Sequence, residues 1–158
     1  MRYFEKISFE QFKKDIKNDK KLYDEYEIPK RATKNSAGYD FYALYDFTIK
    51  PLEIKKIPTG IKANMNFDEV LLLTVRSSQG FKYNVRLVNQ IGVIDKDYYN
   101  NESNEGHMWI KLQNHGKCDY VVKKGEAICQ GIFTKFLTTS NEEEINQTRN
   151  GGIGSTNK

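Results

Sequence analysis

Cysteine is almost absent from this chain, two residues in 158, and its scarcity removes two classes of protein at once. Cys118 and Cys129 are too few for a disulfide scaffold, and they stand in neither a C-x-x-C nor a His-bearing metal spacing. Zinc is thereby excluded and two reduced thiols are expected. Long apolar runs are missing too: the longest, such as Val70-Leu71-Leu72-Leu73, falls far short of the ~20 residues that a membrane span needs. Met1-Arg2-Tyr3-Phe4-Glu5 leads into no apolar signal-peptide core, so the expectation is a soluble, intracellular (cytoplasmic) protein with no membrane partner. The sequons at Asn101 and Asn146 then carry no glycan. Neither sign of charge dominates. Lys+Arg 25 against Asp+Glu 21 gives +4, interspersed and without a basic tract, so direct nucleic-acid binding is not expected. No internal repeat is present, and 158 residues, 38% of them hydrophobic, suit one domain.

What is present reads as many short strands. Ser8-Phe9-Glu10-Gln11 fits a capping box, and Phe9, Phe12 and Ile16 recur at helical spacing, which predicts a short helix to about Asp19. Lys20 to Lys34 is charged and contains Pro29, so residues 1–34 are taken as an N-terminal helix and an extended linker. From Tyr39 onward, runs rich in β-branched and aromatic residues predict strands at Asp46–Ile49, Glu53–Ile57, Ile61–Met65, Glu69–Val75, Val85–Asn89, Met108–Gln113, Asp119–Lys123 and Ala127–Leu137. Strands of this number and spacing imply an antiparallel sandwich or barrel over residues 35–137. Residues 138–158 are polar and glycine-rich and bury too little apolar surface to order themselves, so a mobile C-terminal segment is expected.

Five constellations carry candidate chemistry. In Ser36-Ala37-Gly38-Tyr39-Asp40, the carboxylate of Asp40 interrupts an apolar run, either as a turn acceptor or as a charge placed in a site. In Arg76-Ser77-Ser78-Gln79-Gly80-Phe81-Lys82, a turn or helix opening at Ser77 or Ser78 would offer backbone N–H groups and two hydroxyls to an anion, beside the Arg76 fork; taken alone it is more often an ordinary N-cap beside an arginine. Val85, Leu87, Asn89 and Ile91, Val93, Asp95 alternate around a turn and predict a hairpin, with Gly92 permitting close approach of a planar base. Asp95 taken alone is a turn aspartate or a site carboxylate. Gly125 opens an apolar strand in which Gln130 must be hydrogen-bonded if buried. Arg149-Asn150-Gly151-Gly152-Ile153-Gly154-Ser155-Thr156 is either a loose terminus or a backbone nest for polyphosphate.

In this order and spacing the five segments resemble the homotrimeric dUTP pyrophosphatases (dUTPases) over about Ser36 to Thr156. The resemblance implies an all-β jelly roll, a distorted β-barrel, with three chains sharing active sites. It implies hydrolysis of dUTP to dUMP and pyrophosphate, with Mg²⁺ as cofactor held on the triphosphate by its own oxygens and waters. It casts Asp95 as the base that activates water against the α-phosphorus, and Arg76, Ser77, Ser78 and Gln130 as holders of the phosphates. Asn89, Gly92 and Ile94 would read uracil, Tyr98 would pack under the deoxyribose, and Asp40 would act through metal-bound water. Arg149, Ser155 and Thr156 would close over the β- and γ-phosphates as a lid.

Two departures stand out against that pattern. Ile153 occupies the place of a Phe that stacks on the base, so either Ile153 covers the base by apolar contact alone or another aromatic does, with Trp109, His107 and Phe81 as candidates and Trp109 otherwise a core residue. The segment Tyr99 to Gly106 is longer than the turn usual after the family's Tyr, and residues 1–34 lie outside the shared region, as a packing or trimer-edge extension. A dCTP deaminase-like enzyme and a dUTP-sensing regulatory protein on the same scaffold are the competing readings; Asp95 in place argues against pure sensing.

Overall fold

The computed structural model describes residues 1–145. Twelve strands dominate. Along the chain run β1 (Tyr3–Lys6), α1 (Phe9–Asp15), α2 (Lys20–Glu25), β2 (Lys30–Arg31), β3 (Tyr39–Tyr42), β4 (Phe47–Ile49), β5 (Ile54–Pro58) and β6 (Ile61–Asn64). They are followed by β7 (Glu69–Thr74), α3 (Ser77–Tyr83), β8 (Val85–Leu87), β9 (Gly92–Ile94), a 3₁₀ turn (Lys96–Tyr98), β10 (Trp109–Asn114), β11 (Tyr120–Val122) and β12 (Ala127–Lys135). The pairing is antiparallel throughout, in four sheets of order β1-β6, β5-β10-β8, β11-β4 and β2-β3-β12-β7-β9. The fold is all-β and jelly-roll-like, but the expected barrel does not close: each of the four sheets keeps two edges.

Alternation builds the core. In β10 the side chains of Ile110, Leu112 and Asn114 point inward and are buried, while Trp109, Lys111 and Gln113 face the other way, as period-two geometry requires. β6 does the same with Ile61 and Ala63. With Phe41, Leu71, Leu73, Leu87 and Ile128 these residues form one continuous core.

Residues 1–34 join that core instead of trailing from it. The Ser8 cap forms as expected, its hydroxyl oxygen accepting the Gln11 N–H at 3.1 Å. The predicted linker, however, contains α2, capped by Asp19, and the first residues form β1 against β6. Leu22 and Tyr26, four apart, are buried, so the charges of this stretch line only the outer face of a helix whose inner face was sparse but sufficient. Phe4, Ile7, Phe12, Leu22 and Tyr26 all lie in the shared core.

The predicted hairpin is also different. β8 pairs with β10 and β9 with β7, so the two strands are edges of different sheets and do not pair with each other. Alternation fixes which face a side chain takes and is silent on which strand lies alongside. The turn between them is tight, with Gln90 at φ 63° and the Ile91 N–H donating to the Asn89 carbonyl at 2.7 Å. It hands the chain from one sheet to the other and leaves a gap between the two edges.

Candidate active site

One group of site residues gathers where β3, β12 and the end of β7 meet. Asp40 stands opposite Gln130 in the β3–β12 ladder, and Gln130 stands opposite Thr74 in the β12–β7 ladder. Asp40 is 8% exposed and lies within β3, not in a turn. Its Oδ1 lies 3.1 Å from Nε of Arg76, a half-exposed side chain that continues β7 in extended backbone. The Gln130 amide donates to the Val75 carbonyl at 3.2 Å. Gly38 exists to admit that amide: a Cβ there would sit 2.2 Å from Gln130 Oε1. Ser77 and Ser78 open α3 directly after Arg76, where Gln79 Oε1 accepts the Arg76 N–H at 2.8 Å and Gln79 Nε2 donates to the Ile128 carbonyl at 2.9 Å. The arrangement presents a guanidinium, an amide and two hydroxyls around one carboxylate, a donor-rich surface suited to a polyanion. Lys82 lies exposed on the same helix.

A second group lines the gap between β8 and β9. This open-sided cleft, about 650 Å³, is walled by Asn89, Gly92, Ile94 and Tyr98, together with Lys56, Trp109 and Lys111. The outer main-chain edges of two edge strands and an amide side chain beside a mostly apolar cleft suit a flat heterocycle with a donor–acceptor edge. Tyr98 is fixed in place: its hydroxyl donates to the His107 carbonyl at 2.9 Å and accepts from Asn104 Nδ2 at 2.8 Å. Asp95, half-buried, follows Ile94 at the far end of β9 and opens the 3₁₀ turn. Among the described residues no group of three or more His, Cys, Asp or Glu side chains could hold a metal ion.

A dUTPase family model matches residues 24–157. The chain belongs to the dUTPase family. It is 48% identical over 130 residues to the deoxyuridine 5'-triphosphate nucleotidohydrolase of Lactococcus lactis subsp. lactis (strain IL1403), covering 82% of this chain and 87% of that protein. A namesake in Nautilia profundicola is 34% identical over 143 residues, 88% of this chain and 96% of its own length. Among solved structures, the dUTPase from Streptococcus mutans superposes with TM-score 0.70 at 37% identity, over 87% of this chain and 98% of that one. The dUTPase from phage phi11 of S. aureus shares the fold with TM-score 0.68 at 17% identity, over 93% of this chain and 97% of its own.

In this dUTPase-family chain Asp95 and Arg76 stand far apart. Leu71 pairs with Ile94, which sets Asp95 level with Val70, six extended residues from Arg76, or about 20 Å at ~3.3 Å per residue. Of the candidates for covering a base, His107 is fully buried and Phe81 is 94% exposed on α3, so neither lines the cleft. Trp109 does: it is half-buried, with Lys56 Nζ 4.3 Å from its ring centroid. Sequence reading missed Lys56, Lys111 and Asn104, because they reach the cleft from β5, β10 and a loop that carry no motif of their own. Arg149, Ser155 and Thr156 lie outside the described residues. Burial pushes the Cys129 thiol up and keeps it protonated, while Cys118 is exposed; both are free.

Proposed function

We propose that this chain hydrolyses dUTP to dUMP and pyrophosphate, in a site shared between copies of a homotrimer. The observation that carries the reading is the separation of two motif residues: Asp95, just past the end of β9, lies level with Val70, about 20 Å along β7 from Arg76 and the group of side chains around it. A triphosphate cannot be held and cut by residues that far apart in one chain. A neighbour's Arg76 group placed against this chain's cleft completes the site, and three such pairings close a ring.

In that site the Asn89 side chain and the cleft's free strand edges read the uracil, and the Tyr98 ring, held by His107 and Asn104, lies under the deoxyribose and leaves no space for a 2′-hydroxyl. Arg76, Gln130, Ser77 and Ser78 hold the phosphates and take up the charge that moves onto the leaving group. Asp95 orients a water and accepts its proton as the oxygen bonds to the α-phosphorus; the bond to the α–β bridging oxygen breaks and pyrophosphate leaves. Arg149, Ser155 and Thr156 close over the β- and γ-phosphates. Mg²⁺, when bound, neutralises charge on the triphosphate oxygens. The donor set fits that arrangement: a hard cation carried by its substrate would need no protein cage, and Asp40, beside Arg76, would be the carboxylate to accept from a water on it. A cytoplasmic setting belongs to the same reading; among the described residues no helix is long and apolar enough to cross a membrane.

The test is product analysis with dUTP, dCTP, dTTP and UTP, in Mg²⁺ and in EDTA, on wild type and Asp95→Asn. The expected result is Mg²⁺-dependent pyrophosphate release from dUTP alone, with kcat reduced roughly 10²–10⁴-fold in the variant and nucleotide binding retained. Deamination of dCTP would assign the chain a different reaction, and tight dUTP binding without turnover would make it a sensor.

A further inference from the structure

The family match begins at residue 24, yet the segment before it is tied at three places to the loop beneath Tyr98. From β1, Glu5 Oε2 accepts the Tyr99 hydroxyl at 2.6 Å. At the start of α1, the Ser8 N–H donates to Glu105 Oε2 at 2.9 Å and the Ser8 hydroxyl donates to Glu105 Oε1. At its last residue, Asp15 Oδ2 lies 2.6 Å from His107 Nδ1. The His107 ring is fully buried and its Nε2 accepts the Gly60 N–H at 2.9 Å, so the ring proton sits on Nδ1 and points at Asp15. Between these ties the loop folds hard against the tyrosine: Gly106 has φ 83°, and a Cβ there would meet the Tyr98 carbonyl oxygen at 2.6 Å. The residues that fix the Tyr98 hydroxyl, Asn104 and the His107 carbonyl, belong to this tied loop.

We infer that the N-terminal segment is a brace for sugar recognition: Asp15 and Glu105 are positioning residues that, through His107 and the loop, set the Tyr98 ring and the preference for deoxyribose over ribose. The inference rests on the placement of Tyr98 under the sugar. A loop of eight or nine residues at a surface is ordinarily the mobile part of a fold, and a ring that must exclude a single hydroxyl tolerates little movement. Anchoring both ends of α1 to the loop supplies the missing rigidity from an element that touches no substrate.

The experiment measures kcat and KM for dUTP and UTP in wild type, Asp15→Ala, Asp15→Asn, Tyr98→Phe and the double variant Asp15→Ala/Tyr98→Phe, with thermal unfolding followed alongside. Asp15→Ala is expected to lower the dUTP:UTP ratio of kcat/KM roughly threefold to tenfold, mainly through KM. Asp15→Asn, whose amide oxygen still accepts from Nδ1–H, restores the ratio. In the Tyr98→Phe background, where the hydroxyl ties are already gone, Asp15→Ala adds nothing further. An unchanged ratio in Asp15→Ala, whatever its stability, or an undiminished effect in the Tyr98→Phe background, overturns the inference. If Asp15→Ala does not fold, Tyr99→Phe, which deletes only the hydroxyl bonded to Glu5, carries the same expectation. A wild type that does not favour dUTP over UTP refutes the placement of Tyr98, and the brace with it.

Discussion

At the scale of single residues, the proposed phosphate-holding group depends on an absence. Gly38 leaves room for the Gln130 amide, and an added Cβ would lie 2.2 Å from its oxygen and 3.1 Å from its carbonyl carbon. Gly38→Ala is therefore expected to push Gln130 off the Val75 carbonyl and to lower kcat/KM as Gln130→Ala does, about 10²-fold for loss of one preorganised donor. The double variant should be no worse than either single one; additive losses in steady-state rates would show that the two residues act apart. Such residues were legible in the sequence as types at spacings, since Asp40, Arg76 and Gln130 each stand in a recognisable segment. Their contacts were not. Nothing in the order of residues says that a glycine faces a glutamine 92 positions later, or that Asn104 and the His107 carbonyl support Tyr98, because such contacts are made by register and backbone rather than by neighbours in sequence.

At the scale of elements, β1 is held by an ion pair as well as by its ladder with β6. Arg2 Nε lies 3.0 Å from both carboxylate oxygens of Glu69, at the start of β7, and the Asn66 N–H donates to the same carboxylate at 3.0 Å. Chiefly through the Arg2 hydrogen bond, the Glu69 carboxyl is held at about 2, below its ordinary 4.5. The folded state thus favours the carboxylate, so this contribution to stability is complete above about pH 4.5 and is lost as pH falls toward 2. Unfolding midpoints in denaturant, measured between pH 6 and pH 2, should fall more steeply for wild type than for Glu69→Gln; parallel curves would contradict the assignment. Sequence reading placed β4, β5, β6, β7, β10, β11 and β12 within two residues, each a run of β-branched or apolar residues bounded by turn signals. β2 is two residues long, α2 shows only two inward apolar residues, and β1 mixes Tyr3 and Phe4 with two charges, so none announces itself. The separation of β8 from β9 was hidden for the reason given above, and it matters most, because the unpaired edges make the cleft.

At the scale of the whole molecule, the ladder register of one sheet supports the proposed assembly. β7 carries Arg76 beyond one end and, through its pairing with β9, holds Asp95 near the other. In the proposed trimer, water activation and phosphate binding therefore belong to different copies. That consequence can be checked without a structure of the assembly, by mixing two inactive chains. Arg76→Ala and Asp95→Asn should each lose nearly all dUTP hydrolysis alone. When the two are unfolded together and refolded into mixed trimers, about a quarter of the sites draw Asp95 from one variant and Arg76 from the other, and activity should return to roughly that fraction of wild type. Mixed trimers, verified by mass, that stay as inactive as either parent would show that each chain keeps its own complete site and would contradict the account.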